Sequence, residues 1–187
     1  MSALARLSRL LAADGRCFDV AIDHGVFNEP TFLGGIADMG RAVDAIVAAN
    51  PDAIQLGPGH ARLLQDRPGK EKPALVLRVD VANVYAPKPP PEMFCELLPD
   101  GVEQAVRLDA ACVVVFLLSI PGRADLHRQC VANLGRVRAV CERFAMPLMV
   151  EPIAMRPTEG GGLGVDGDVE RISALVRQAV ELGADVV

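Results

Sequence analysis

Val20-Ala21-Ile22-Asp23-His24-Gly25 decides the fold, because a short apolar segment ends here in an acid, an imidazole and a glycine. An apolar run of this length predicts a buried β-strand, and polar groups at the end of such a strand are typical of β/α proteins. Side chains alternate along a strand, so Asp23 points away from the side occupied by Val20 and Ile22. If other strands end in the same way, their polar side chains converge on one site.

The rest of the chain alternates between helix and strand patterns. An amphipathic helix is predicted at Ala3–Ala13, ahead of the first strand. Further strands are predicted at Ala53–Gly57, Ala74–Asp80, Cys112–Ser119, Leu148–Glu151 and Ala184–Val187. Further helices are predicted at Met39–Ala49, His60–Gln65, Gly101–Leu108, Arg123–Phe144 and Asp168–Leu182, and a proline-rich loop at Ala86–Pro91. Six strands separated by helices imply right-handed crossovers and a parallel sheet.

Two architectures are open to such a sheet. A doubly wound sheet has a glycine-rich nucleotide-binding turn after its first strand, whereas this chain continues with Asp23-His24-Gly25. Counting alternate positions also puts several polar side chains on the non-apolar side of their strands. These are Asp23, Gln55, Arg78, Asp80 and Glu151. Facing packed helices would cost several kcal/mol for each unpaired charge. The predicted α/β fold is therefore a (β/α)8 TIM barrel, with about six β/α units present, that takes these groups into its interior.

Composition narrows the class of function. The chain has 187 residues, 51% of them hydrophobic, which suits a single domain over residues 1–187. A formal net charge of −5 and 4% aromatic residues argue against nucleic-acid binding and favour a small-molecule substrate. The longest apolar runs are shorter than the ~20 residues of a membrane span, so no membrane association is expected. Five cysteines without paired short spacing favour a reducing cytoplasm over a metal cluster.

Acid and base chemistry is predicted at two strand ends. Asp23 and His24 supply a carboxylate and an imidazole suited to proton transfer, and the structural alternative is a turn cap and a backbone hydrogen bond. Glu151 is either a second acid/base group or the ion-pair partner of Arg78, since an interior arginine requires a counter-charge. The predicted catalytic residues are Asp23, His24 and Glu151. The predicted substrate-binding residues are Gln55, Arg78, Asp80 and Ser119.

Two glycine-rich segments are weaker indications. Glu159-Gly160-Gly161-Gly162-Leu163-Gly164 lacks the lysine and Ser/Thr of a phosphate-binding P-loop, so we expect a mobile lid over the barrel mouth or a plain flexible loop. In Gly57-Pro58-Gly59-His60 the glycines allow close approach to a ligand, but a tight turn explains them equally well. No short ligand spacing supports metal binding by the histidines and carboxylates, and no cofactor is predicted.

Four segments resemble the archaeal-type class I fructose-bisphosphate aldolases, within the wider deoxyribose-phosphate aldolase-like superfamily. They are Ala21-Ile22-Asp23-His24-Gly25, Asp52-Ala53-Ile54-Gln55-Leu56, Met149-Val150-Glu151-Pro152 and Glu181-Leu182-Gly183-Ala184-Asp185-Val186-Val187. The resemblance covers essentially the whole chain in order, and its first and last segments are the most specific. It implies a TIM barrel that forms or cleaves carbon–carbon bonds through a lysine Schiff base. It also implies a phosphorylated, sugar-like substrate and a homo-oligomer.

The resemblance implies individual roles as well. Asp23 corresponds to the acid/base group that handles the protons of the substrate hydroxyl and of the carbinolamine. The Schiff-base lysine of the family comes directly after the stretch that matches Gly183-Ala184-Asp185-Val186-Val187, where this sequence stops. The three lysines of the chain fall in loops or at loop edges, at Lys70, Lys72 and Lys88. Ser119-Ile120-Pro121 stands where fructose-bisphosphate aldolases carry a proton-relay tyrosine, which argues against fructose bisphosphate itself as the substrate.

An arc of six strands leaves two open edges. We therefore expect these residues to be the N-terminal portion of a longer barrel, incomplete at the C-terminus, or to be completed by strands from elsewhere. The expected function is a Schiff-base aldolase acting on a small, phosphorylated ketose or keto compound, inactive without its lysine. The alternatives are a metal-dependent barrel lyase that uses His24 and Glu151, and a non-catalytic barrel that binds a ligand or serves as a scaffold.

Overall fold

A curled sheet with helices on its outer face forms the framework of the protein. The computed structural model describes residues 3–69, 71–86 and 88–187. The strands are β1 (Asp19–Ala21), β2 (Ala53–Leu56), β3 (Ala74–Arg78), β4 (Asp80–Ala82), β5 (Cys95–Leu97), β6 (Cys112–Ser119), β7 (Leu148–Pro157) and β8 (Leu163–Val165). The helices are α1 (Leu4–Leu10), α2 (Met39–Ala49), α3 (Arg62–Gln65), α4 (Gly101–Arg107), α5 (Ala124–Phe144) and α6 (Val169–Glu181). Two short 3-10 helices, His24–Phe27 and Pro30–Leu33, follow β1.

The order of the strands in the sheet is that of a TIM barrel laid out in sequence. Strands β1, β2, β3, β6 and β7 are neighbours in that order and run parallel. The connections between them carry α2, α3, α4 and α5, as β/α units require. The predicted α/β barrel fold is therefore confirmed, in the form of a half-barrel.

The two faces of the sheet bury different kinds of side chain. Toward the helices, the sheet presents large aliphatic residues such as Ile54, Leu77 and Leu117, all fully buried. The inner face is lined at its N-terminal end by smaller residues such as Ala53 and Cys112. Helix α1 closes this end of the barrel, because its Leu10 is fully buried in the inner cluster. The opposite end of the inner face, where the strands stop, is left for polar groups.

Strand β7 continues beyond the predicted Leu148–Glu151. It runs to Pro157 and pairs with the antiparallel strand β8 through Met155 and Val165. The apolar stretch Ile153-Ala154-Met155 allows this extension, because it lies alongside Leu118 and Ser119 of β6. The glycine-rich segment is thus the turn of a β-hairpin rather than a lid or an unstructured loop.

The predicted strand Ala74–Asp80 is divided in two. Strand β3 ends at Arg78, and Asp80 begins β4, which pairs antiparallel with β5 outside the main sheet. Side-chain hydrogen bonds of Asn83 close the connection, with the Phe94 N–H at 2.8 Å and the Glu92 carbonyl at 2.9 Å. The proline-rich loop lies within this connection, and its Pro87 falls outside the described residues.

The last predicted strand, Ala184–Val187, is present as a single parallel bridge between Val186 and Met149. The Val150 N–H donates to the Val186 carbonyl at 3.0 Å, so the segment lies along the edge of β7. In the part of the chain that the structure describes, no helix is long and apolar enough to cross a membrane.

A substitution at Gly101 tests how closely α4 packs against Val79, the residue between β3 and β4. A Cβ atom at Gly101 would lie 2.7 Å from Val79 Cβ, so Gly101→Ala is expected to lower the free energy of unfolding by about 1–3 kcal/mol. In the control, Gly135→Ala adds a Cβ to the exposed side of α5, where it would contact nothing beyond the adjoining backbone of the helix. That variant is expected to be more stable by roughly 0.5–1 kcal/mol. Urea unfolding of both variants measures the difference, and equal effects would contradict this packing.

Candidate active site

Arg78 is the centre of a buried charge cluster at the carboxyl ends of the strands. Its guanidinium is 1% exposed and contacts three carboxylates. Nε lies 2.7 Å from Asp23 Oδ2, Nη1 lies 3.2 Å from Asp80 Oδ1, and Nη2 bonds to Glu151 Oε2. Burial acts to lower the pKa of Arg78, but the carboxylates outweigh it and raise that pKa above its usual range. The cluster therefore combines one fixed positive charge with three acidic groups.

Gln55 connects two of these carboxylates. Its Nε2 donates to Asp23 Oδ2 and to Glu151 Oε1, both at 3.1 Å. Asp23 Oδ2 thus accepts from Arg78 and from Gln55, while its Oδ1 receives no hydrogen bond from any described residue. Two donors on one oxygen fix the orientation of the carboxylate and leave the other oxygen available. The strand alternation predicted this convergence of Asp23, Gln55, Arg78 and Glu151, and the structure shows it.

Asp80 holds the arginine from the opposite side. The carboxylate is fully buried, and its Oδ2 accepts a hydrogen bond from the Phe116 N–H at 2.7 Å. Burial raises the pKa of Asp80 to about 6, although Arg78 and the Phe116 amide act in the other direction. Asp80 does not line the cavity described next, and its position is that of an anchor for Arg78.

A cavity of about 520 Å³ opens beside the charge cluster. One wall is polar and consists of Asp23, Gln55, Arg78 and Glu151. The other walls are mostly apolar and aromatic: Ala21, His24, Phe27, Phe32, Tyr85, Phe116, Met149, Val150, Pro152, Ile153, Val165 and Val187. The Phe116 ring lies against the Arg78 guanidinium, 3.8 Å from its carbon to the ring centroid. A small polar molecule with one apolar side fits this combination.

His24 and Ser119 occupy different places relative to this cavity. The half-buried His24 ring packs against Phe32, with centroids 5.6 Å apart, and makes no hydrogen bond to any described residue. It lines the cavity together with Asp23. Ser119 instead lines a separate groove with His127 and Arg171, so the structure does not bring it to the cluster.

Two further residues at the site were not predicted from the sequence. Asp19 lies two positions before Ala21, on the same face of β1 as Asp23, and alternation extended by two residues identifies it. Its Oδ1 is buried without a hydrogen-bond partner among the described residues. Burial, with the charges of Asp23 and Glu151, raises the pKa of Asp19 to about 7. Tyr85, the single tyrosine of the chain, reaches the cavity from the connection between β4 and β5, for which the sequence gives no signal.

The described lysines lie away from the cavity. Lys72 donates to the Gln65 carbonyl at 2.7 Å and lines a groove with Arg9 and Asp109 instead. Lys88 is exposed, and Lys70 falls outside the described residues. Among described residues, no three or more His, Cys, Asp or Glu side chains are grouped so as to hold a metal ion.

Replacing Arg78 tests whether the cluster depends on its one cation. Arg78→Met is expected to lower the free energy of unfolding by about 3–5 kcal/mol at pH 7, because it leaves buried carboxylates without a counter-charge. Arg78 lowers the pKa of Asp80, so removing Arg78 raises that pKa further. The variant is then most stable when Asp80 is protonated. The deficit is therefore expected to shrink as the pH falls toward 5. Arg177→Met, at an exposed pair with Glu181, is the control and is expected to cost under about 0.5 kcal/mol. A similar loss in both variants would contradict the role of Arg78.

Asp19 is expected to make stability depend on pH. Its pKa of about 7 in the folded protein lies above the ordinary value of 3.8, so its contribution is fully present below pH 3.8 and is lost as the pH rises through 7. Asp19→Asn is therefore expected to be more stable than the wild type at pH 8, by about 1–4 kcal/mol, and equally stable near pH 4. Urea unfolding across this range measures the effect. The exposed Asp66→Asn serves as the control, and an Asp19→Asn gain that is the same at both pH values would contradict the assignment.

Comparison with solved structures relates this half-barrel to known aldolases. An archaeal fructose-1,6-bisphosphate aldolase, with its catalytic Lys covalently bound to the carbinolamine intermediate of the substrate, matches 98% of this chain and 68% of its own (TM-score 0.70, 22% identity). A Schiff-base-forming fructose-1,6-bisphosphate aldolase matches 98% of this chain and 69% of its own (TM-score 0.71, 23% identity). The protein Cgl0159 from Corynebacterium glutamicum matches 98% and 65% (TM-score 0.70, 15% identity). At these identities the likeness establishes the fold.

Comparison of the sequence with protein families is more specific. No curated protein matches the chain. Residues 17–187 match the profile of the DeoC/LacD family, and the match takes in β1, with Asp23 at its end, and every residue that forms the charge cluster. Because it extends over most of the sequence, the chain belongs to the DeoC/LacD family of aldolases.

Proposed function

We propose that this chain forms the proton-transfer half of a Schiff-base aldolase that acts on a small, phosphorylated ketose or keto compound. The observation that carries the proposal is the Asp23 carboxylate. It is buried at the edge of a cavity, and one of its oxygens is fixed by Arg78 and Gln55. The proposal joins this geometry to membership of an aldolase family.

Asp23 is suited to move a proton because only one of its oxygens is engaged. In carbon–carbon bond cleavage, the substrate hydroxyl gives its proton to a base while its oxygen becomes the carbonyl of the leaving aldehyde. The free Oδ1 of Asp23 accepts that proton, and the same group returns a proton in the condensation direction. Holding the carboxylate by its other oxygen keeps it in one orientation throughout.

The second carboxylate, Glu151, is placed to assist rather than to act alone. It shares both Arg78 and Gln55 with Asp23, so a proton gained by one carboxylate changes the charge felt by the other. His24 lies on the aromatic side of the same cavity without a hydrogen-bond partner in the described chain. We assign it to contact the outer part of the substrate.

The electron-accepting group is an amine that the described residues do not supply. Val186 pairs with Met149, and both side chains belong to the cluster on the inner face. By alternation from Val186, the residue that follows Val187 in the same strand faces the interior beside Glu151. We propose a lysine there. Its deprotonated amine attacks the substrate carbonyl and loses water to form an iminium, which accepts the electron pair of the broken carbon–carbon bond.

The charge of the cavity orients the substrate. Each nitrogen of Arg78 already contacts a carboxylate, so this arginine is not free to bind a phosphate. The acidic wall therefore takes the neutral keto and hydroxyl end, and the phosphate end points away from Asp23.

The five cysteines are free thiols, which supports a reducing compartment such as the cytoplasm. A homo-oligomer is proposed on the resemblance alone.

Borohydride trapping tests the Schiff base. A protein containing this chain and its continuation is incubated with dihydroxyacetone phosphate and reduced, and its intact mass and peptide map are measured. The expected result is one covalent adduct on the lysine after Val187, formed more slowly by at least about tenfold in Asp23→Asn, since proton transfer contributes about 10²–10⁴-fold to rates. The 187-residue chain is the control and is expected to give no adduct at Lys72 or Lys88.

Two outcomes would overturn the proposal. One is the absence of any adduct on the longer protein. The other is carbon–carbon bond cleavage that a chelator such as EDTA abolishes, which would favour the metal-dependent lyase instead.

A further inference from the structure

Tyr85 is a cavity-lining residue whose aromatic ring carries a hydroxyl group. Its ring is held edge-on by two phenylalanines that follow β1, with centroid distances of 4.5 Å to Phe27 and 5.2 Å to Phe32. Phe27 in turn packs against Phe116, 5.2 Å away, which also lines the cavity. The ring is therefore fixed by packing from two separate elements, which leaves its hydroxyl little freedom.

The hydroxyl of Tyr85 has no partner within the described chain. No described residue forms a hydrogen bond with it, and it is not among the buried polar atoms that lack one. The hydroxyl is therefore accessible, and the residue that carries it lines the cavity. A fixed phenol that faces a cavity without a protein partner is available to a ligand.

The electrostatics of the cavity make this hydroxyl a donor. Burial, followed by the negative charge of Glu151, raises the pKa of Tyr85 to about 12. It stays protonated at any physiological pH. The donors of the polar wall are occupied, because both hydrogens of Gln55 Nε2 and each nitrogen of Arg78 point at carboxylates. The carboxylates themselves only accept.

We propose that Tyr85 is a specificity-determining residue whose hydroxyl donates a hydrogen bond to a hydroxyl oxygen of the bound substrate. The acidic wall accepts hydrogen bonds from the substrate, and Tyr85 supplies a donor from the aromatic wall. The site then selects compounds that carry an oxygen opposite Tyr85 over analogues that lack it. This inference takes its substrate class from the proposed function and rests on it in that respect.

The composition of the chain provides a direct probe. With one tyrosine, a protein labelled with ¹³C at tyrosine Cζ gives a single tyrosine signal, and that signal reports on Tyr85. The 187-residue chain is titrated with dihydroxyacetone phosphate and, separately, with hydroxyacetone phosphate, which lacks one hydroxyl. We expect a saturable shift with dihydroxyacetone phosphate and a dissociation constant about 2–10-fold lower than for the deoxy analogue, as one hydrogen bond allows.

Tyr85→Phe removes the hydroxyl and keeps the ring in its aromatic contacts. Ligand-detected NMR of this variant is expected to show that the preference for dihydroxyacetone phosphate is lost. Ser8→Ala, which removes a hydroxyl on helix α1 that bonds to the Ala5 carbonyl, is the control and is expected to keep the preference. A Tyr85 signal that does not move, or a Tyr85→Phe chain that retains the preference, overturns the inference.

The two proposals fail separately. Binding to the 187-residue chain needs no Schiff-base lysine, so the hydrogen bond of Tyr85 is measured whether or not borohydride traps an adduct on the longer protein. If an adduct forms but dihydroxyacetone phosphate is not preferred over hydroxyacetone phosphate, the aldolase proposal stands and the specificity role of Tyr85 is refuted. A preference without an adduct supports Tyr85 and removes the Schiff-base mechanism.

Discussion

The contact between one guanidinium and three carboxylates constrains the half-barrel at the carboxyl ends of its strands. Arg78 comes from β3, and its partners come from the turn just after β1, from β4 and from β7. Each carboxylate is buried or half-buried and needs the same cation. The strand ends are therefore held at fixed distances from one another. The position of Asp23 at the cavity edge is a consequence of this shared counter-charge rather than of β1 alone, which contains only three residues.

The same constraint gives the acidic residues different environments and different roles. Asp80 is fully buried and receives a backbone hydrogen bond, so it anchors the arginine. Asp23 and Glu151 line the cavity and share Gln55, so in the proposed function they are the pair that meets the substrate. Asp19 lies on the same face of β1, two residues before Ala21 and four before Asp23, and its Oδ1 has no hydrogen-bond partner among the described residues. Residues of one chemical type thus have different environments, which is how a site separates structural from reactive carboxylates.

Sequence alternation was sufficient to predict the barrel and most of the charge cluster. A residue two positions along a strand must face the same side, so Gln55, Arg78 and Glu151 were assigned to the interior without any knowledge of their contacts. The predicted bounds of α2, α5 and α6 lie within one residue of the observed ones, because the apolar periodicity of these helices is strong, and those of the other helices lie within three. Asp19 lies within reach of the same counting, two positions before Ala21, although it is not among the residues predicted for the site.

The features that alternation did not predict depend on contacts between distant segments. The division at Val79 follows from pairing between β4 and β5, which the chain brings together across a proline-rich connection. Tyr85 reaches the cavity through that connection, and no local pattern marks it. Ser119 ends its strand with the right residue type but at a position that opens toward α5 and α6. Strand ends converge only when they lie on the same face and at the same height.

The hairpin formed by β7 and β8 gives the cavity a wall that does not belong to the barrel sheet. Val165 lines the cavity from β8, beyond the turn at 158–162, while the parallel pairing of β6 and β7 lies on the other side of that hairpin. Insertions or replacements in the turn can therefore reshape the cavity without disturbing the register of the parallel strands. A change of substrate range can therefore evolve through this hairpin while Asp23 and Arg78 stay in place.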